Sequence, residues 1–180
     1  MPIENERKYI LLDDDGQLET QLAKLPGIAR SVLRQAYLDG SGVRIRAIAK
    51  GDAVRHVFTF KRPVEGRMVE IETDIAAADF ARLWTLRRET LSKVRYSWED
   101  GRFHWDVDFF KTDEGTTYFA LAEVEMPEDE TVPPSAPPPL ARHVLGLAPL
   151  GDPRFTSKRL ADQVHAERLL GDIRRSGKVE

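Results

Sequence analysis

Cysteine is absent from the 180 residues, which excludes disulfides and thiolate metal sites. No apolar run approaches the ~20 residues that a membrane-spanning helix needs. Charge of one sign is not in excess either. The net charge of −3 argues against a generic nucleic-acid or membrane-surface binder. The four histidines, His56, His104, His143 and His165, lack ligand spacing such as His-Glu-x-x-His. Lys50-Gly51-Asp52 has no phosphate-loop pattern around it and reads as a turn. No internal repeat is visible. The start, Met1-Pro2-Ile3-Glu4, turns acidic at once, unlike a secretory leader. These absences leave one cytoplasmic domain over residues 1–180 as the expectation.

Charged residues make up 32% of the chain, above the usual quarter, so some charge is available for a task beyond solubility. Strand patterns run over Ile3–Leu12, Ser31–Leu38, Val43–Lys50, Val54–Arg62, Met68–Ile75, Leu91–Trp98, Arg102–Phe110 and Tyr118–Met126. Asp39-Gly40-Ser41-Gly42 and Glu99-Asp100-Gly101 are hairpin signals. Helical spacing marks Gln17–Leu25, Ala76–Arg87, a short stretch at Leu140–Leu147, and a last helix over 157–174 with Leu160, Val164, Leu169 and Ile173 as its apolar stripe. Pro127 to Pro139 holds six prolines and reads as an irregular connector. The expected class is α+β, mainly antiparallel β. The expected architecture is an eight-stranded closed or nearly closed barrel with helices packed outside.

The informative feature is which residues alternate. Side chains at i and i+2 share one face of a strand. Glu4, Glu6 and Lys8 share a face, as do Arg44 and Arg46, Glu70 and Glu72, Lys93 and Arg95, Asp106 and Asp108, and Glu123 and Glu125. Most of these sets carry one sign within a strand, and the sign changes between strands. Like charges two residues apart gain nothing from each other unless something of opposite charge lies between them. Carboxylate pairs suit hard cations such as Mg²⁺ or Mn²⁺. Lys and Arg pairs suit phosphate oxygens. If these faces point into a barrel, metal and triphosphate together supply the neutralisation that buried charge requires.

The same residues carry a resemblance. Glu4-Asn5-Glu6-Arg7-Lys8 resembles the N-terminal Glu-x-Glu-x-Lys signature of the CYTH superfamily, the triphosphate tunnel metalloenzymes. Gln35-Ala36-Tyr37-Leu38, Val43-Arg44-Ile45-Arg46, Phe58-Thr59-Phe60-Lys61 and Glu70-Ile71-Glu72 resemble its next segments, in order. Lys93-Val94-Arg95-Tyr96, Trp105-Asp106-Val107-Asp108, Ala122-Glu123-Val124-Glu125 and Ser157-Lys158 complete the series. The resemblance implies an eight-stranded tunnel and a Mg²⁺- or Mn²⁺-dependent activity on a triphosphate.

By the same resemblance, Lys8, Arg44, Arg46, Lys61, Arg95 and Lys158 bind phosphate oxygens. Glu4, Glu6, Asp108, Glu123 and Glu125 hold metal, and Glu70 and Glu72 join the metal site or orient the cations. Lys93 is implied as the base, tuned by Tyr37. The favoured activity is hydrolysis of inorganic triphosphate. A class IV-type adenylyl cyclase, a thiamine triphosphatase and a non-catalytic polyphosphate- or nucleotide-binding module are the alternatives. The expected partner is a small triphosphate, with no nucleic acid and no membrane, and a homodimer is left open.

Overall fold

The alternation in the sequence is realised as one antiparallel sheet. A computed structural model describes residues 5–38, 42–65, 67–177 and 179. Its strands are β1 (Glu6–Leu11), β2 (Ala29–Leu38), β3 (Val43–Lys50), β4 (Ala53–Val64), β5 (Arg67–Asp74), β6 (Arg87–Asp100), β7 (Phe103–Lys111), β8 (Thr117–Glu125) and β9 (Val144–Leu147). They lie in the order β5-β4-β3-β2-β6-β7-β8-β1-β9. Among the described residues no ladder joins β5 to β9, so hydrogen bonds do not close the sheet into a barrel.

The ninth strand corrects the expected count of eight. The stretch Leu140–Leu147 reads as helical, but only Pro138–Ala141 (α3) is helix. Val144–Leu147 pairs with β1 instead. Leu12 donates its backbone N–H to His143 O at 2.8 Å, and Ala148 donates to Lys8 O at 2.8 Å, flanking the short ladder. The second edge of β1 thus finds backbone partners, which outweighs a weak local helical pattern.

The outer face is apolar. Tyr9, Val94, Tyr96, Trp105, Val107, Phe109, Ala122 and Val124 pack with Leu18 and Leu22 of α1 (Gln17–Leu22) and with Leu140. Asp13, three residues before the Gly16 N-cap, satisfies the first turn of α1 by accepting from the backbone N–H groups of Leu18 and Glu19 at 2.8 and 3.1 Å. Phe80 of α2 (Ala77–Trp84) covers Ala36, Leu38 and Ile45. The proline-rich connector is fastened to β1. Asn5 donates its amide to Pro127 O and Glu130 O at 2.7 and 2.8 Å, and the Tyr9 hydroxyl donates to Pro134 O.

The inner face is divided along its length. One end carries the charged pairs. The other carries Ile10, Leu91, Phe110, Phe119 and Leu121, on the same strand parity. Leu160 of α4 (Ser157–Leu160) and Ala166, Leu169 and Ile173 of α5 (Gln163–Ser176) cover that apolar end. The C-terminal helices therefore pack on the inner face, not outside the sheet. Burying a Leu, Ile or Phe contributes ~1.5–3 kcal/mol each, so this floor anchors the fold. The expected single helix over 157–174 is broken at Ala161-Asp162, where Asp162 accepts from the His165 N–H and caps α5. Val164 is consequently exposed, and Ala166 takes the buried place. No helix among the described residues is long and apolar enough to cross a membrane.

Candidate active site

The charged end of the inner face lines a cavity of about 830 Å³. Glu6 and Lys8 come from β1, Tyr37 from β2, Arg44 and Arg46 from β3, and Lys61 from β4. Glu70 and Glu72 come from β5, Lys93 and Arg95 from β6, and Glu123 and Glu125 from β8. Lys158, in the first turn of α4, reaches the rim with its Nζ 5.7 Å from the Tyr37 ring centre. The structure brings these thirteen sequence-predicted residues together. Glu4 lies outside the described residues.

Asp108 is placed differently. It shares the inner face but is fully buried, opposite Leu121 on β8 and next to the apolar floor. Lys93 Nζ donates to its Oδ2 at 2.5 Å. Arg95 donates from Nε to Oδ1 at 2.7 Å and from Nη2 to Oδ2 at 2.6 Å. Asp106, two residues earlier, lines the cavity instead and accepts from Arg95 Nη1 and Ser97 Oγ. The alternation puts Asp106 on the face of Asp108, but the resemblance assigns a metal role to Asp108 alone.

Two walls are distinguishable. On the first, from β1, β6, β7 and β8, Lys8 Nζ sits 2.8 Å from Glu6 and also contacts Glu123. Arg95 Nη2 reaches Glu123 at 3.2 Å. On the second, from β3, β4 and β5, Glu70 accepts from Arg44 at 3.1 Å and pairs with Lys61 at 3.2 Å. Glu72 pairs with Arg46 and accepts from Thr59 Oγ1 at 3.3 Å. Among the described residues, the Nε atoms of Arg44 and Arg46 are buried without a hydrogen-bond partner. An unsatisfied buried donor is costly, so both call for an acceptor that a small shift of the side chains would let in.

Gly42 sets the spacing at the second wall. Its φ is +82°, and a Cβ there would lie 2.1 Å from the Lys61 carbonyl oxygen. Only glycine lets β4 approach so closely, and the Lys61 N–H donates to Gly42 O at 2.7 Å.

The ionisation states follow from these contacts. Burial and the neighbouring Arg95 push the Lys93 ammonium down to about 8, against the pull of Asp108 and Glu123. Burial also acts to lower Lys8, but Glu123 and Glu6 more than offset it and hold Lys8 above the usual lysine range. For Glu123, burial acts upward, yet Lys8 and Arg95 hold the carboxyl far below its ordinary value. Burial pushes the Tyr37 phenol up to about 12 despite Arg44, and Gln35 donates to its oxygen at 2.7 Å.

Among the described residues no group of three His, Asp or Glu side chains is already arranged around one point as a metal cage. The donor chemistry nevertheless suits a hard dication, being carboxylate oxygen throughout. Glu6 and Glu125 are directly opposed on β1 and β8, and Glu123 shares their face. The Lys8 ammonium stands between Glu6 and Glu123, where a positive charge is called for.

No family model matches the chain, and no curated protein matches it. Solved structures do. The structure described as the inorganic triphosphatase NE1496 is 24% identical, with a TM-score of 0.51 over 89% of this chain and 95% of that one. PH1819 from Pyrococcus horikoshii OT3 is 16% identical, with a TM-score of 0.51 over 98% of this chain and 91% of that one. The chain thus shares the fold of a structure described as an inorganic triphosphatase, over nearly the whole length of both.

Proposed function

We propose that the protein hydrolyses triphosphates with the help of Mg²⁺ or Mn²⁺, and that inorganic triphosphate is its preferred substrate. The observation that carries this reading is the pair of unpartnered guanidinium Nε atoms, Arg44 and Arg46, in a cavity whose opposing walls both present cations. A chain of phosphates offers each wall acceptors at once, and arginine can take them in a fork. The NE1496 structure, described as an inorganic triphosphatase, supports the reading through its fold.

Phosphoryl transfer depends mainly on positioning and charge stabilisation. Arg44, Arg46 and Lys61 bind one end of the chain, while Lys8, Arg95 and Lys158 bind the other. Glu6, Glu123 and Glu125 would hold the dication, which would supply neutralisation of the phosphate charge, and Lys8 beside them would bind a phosphate oxygen. Asp108, with both oxygens engaged, keeps Lys93 and Arg95 in place. A water oxygen attacks the terminal phosphorus, the bond to the bridging oxygen breaks, and pyrophosphate leaves with that electron pair. Lys93, whose amine is neutral in roughly a tenth of molecules at pH 7, takes the water's proton. Tyr37 stays protonated throughout.

Adenylyl cyclase is the second reading, and it needs a surface for the base. Among the described residues lining the cavity, Tyr37 is the single aromatic, and a lysine lies over its ring. The test is a panel of inorganic triphosphate, ATP and thiamine triphosphate with each metal, reading phosphate release and cyclic AMP. Fastest release from inorganic triphosphate is expected. Cyclic AMP as the main product would transfer the assignment to the cyclase.

A further inference from the structure

Glu70 and Glu72 have a feature that the carboxylates of the first wall lack. They lie on β5, the end strand of the sheet, which is laddered to β4 alone. Their side chains are 31% and 33% exposed, close to the 29% of Glu6 but well above the 1% of Asp108 and the 15% of Glu123. A carboxylate so placed can leave its partner for water at small cost, whereas a buried one cannot.

They are also incomplete partners. Glu70 accepts from one nitrogen of Arg44, Nη2, and Glu72 pairs with one nitrogen of Arg46, Nη2. In both arginines the Nε stays buried and, among the described residues, without an acceptor. A phosphoryl group with three oxygens can take Nε and Nη2 together, so it is the better occupant of each fork. Charge counting does not oppose the exchange. Among the ion pairs of the described residues, the three cations Arg44, Arg46 and Lys61 meet two carboxylates, a balance of +1. Exchanging both carboxylates for orthophosphate, with a charge of about −1.5 at neutral pH, leaves that balance nearly unchanged. Triphosphate carries more charge and extends to the opposite wall.

We propose that Glu70 and Glu72 are built-in competitors for the phosphate-binding cations. They occupy Arg44, Arg46 and Lys61 in the empty cavity, give way to triphosphate, and return as the product phosphate held by these cations departs. This rests on the reading of the cavity as a triphosphate site. The competition lowers the affinity of every anion that needs these three cations by the same factor. Orthophosphate, with no compensating contacts on the far wall, is thereby kept from clogging the cavity, and product release is hastened.

The experiment is calorimetric titration of inorganic triphosphate and of orthophosphate, in EDTA so that turnover is arrested. It uses the parent, Glu70→Gln/Glu72→Gln and, as a control for net charge on the same strand, Asp74→Asn. Asp74 pairs with Arg55 and does not line the cavity. The double variant is expected to bind both anions roughly tenfold more tightly, as loss of two half-exposed competing ion pairs implies. Asp74→Asn is expected to match the parent. The single Glu72→Gln variant should show part of the gain, which guards against a folding defect in the double variant. Unchanged or weaker binding in both Gln variants, or an equal gain in Asp74→Asn, overturns the proposal. So does a double variant with parental anion affinity that, in a separate Mn²⁺ titration without EDTA or anion, has lost the Mn²⁺ binding of the parent, because the two residues are then metal ligands. A parent that binds neither anion rejects the cavity assignment itself, and the proposal falls with it.

Discussion

The two walls of the cavity use the same residue types in opposite ways. On the β1, β6, β7 and β8 side, Lys93 and Asp108 are almost inaccessible, and Arg95 is shared among Asp106, Asp108 and Glu123. On the β3, β4 and β5 side, Glu70 and Glu72 are about a third exposed, and each arginine fork is only partly filled. A buried network whose members satisfy one another is fixed, because removing one strands the rest. A wetter and incompletely bonded wall can exchange partners. On the proposed reading, the first wall holds Lys93 and Arg95 in position, and the second exchanges its carboxylate partners for the ligand.

The comparison can be broken at several points. The largest effect is expected from Lys93→Arg, which keeps the charge but cannot release the proton in this range. Its kcat should fall about 10²–10⁴-fold, the usual weight of a general base, with substrate binding retained. In the parent, kcat should rise with pH through about 8, because the unprotonated amine is the active form. That rise should vanish in the variant. A parental kcat and pH profile in Lys93→Arg would place the base elsewhere.

Asp108→Ala comes next and concerns folding. It leaves Lys93 and Arg95 buried without their main partner, at a cost of ~3–5 kcal/mol in denaturant unfolding. Acid should expose the same dependence. Asp108 and Glu123 are depressed in the folded protein, so their stabilisation is complete above the unfolded values of 3.8 and 4.5. It is then lost as pH falls below them.

Arg44→Ala acts on the other wall. Losing a charge-assisted contact is worth ~1.5–3 kcal/mol, so kcat/KM should fall roughly ten- to hundredfold. Its unfolding midpoint should stay near that of the parent. If Arg44→Ala instead unfolds as readily as Asp108→Ala, the distinction between the walls is lost.

The strand alternation made the charged face legible, because a period of two assigns each side chain to a side with no tertiary information. Depth along the strand was not legible. Asp106 and Asp108 share a parity, yet one lines the cavity and the other abuts the apolar floor beside Leu121 and Phe110. That depth depends on where α4 and α5 seat, which is a long-range property. The amphipathic stripe of Leu160, Leu169 and Ile173 showed that a helix needed an apolar partner, but not which face of the sheet would provide it. Strand β9 was missed for a related reason. Four residues around Gly146 carry little local preference, and the unpaired edge of β1 decides their conformation.

The most direct test of the account is phosphate release from inorganic triphosphate by the purified protein with Mg²⁺, compared with ATP and repeated after EDTA. The account predicts faster release from inorganic triphosphate than from ATP, loss of turnover with EDTA, and recovery when the cation is restored. Release that ignores EDTA, or no release from inorganic triphosphate with either Mg²⁺ or Mn²⁺, would contradict it.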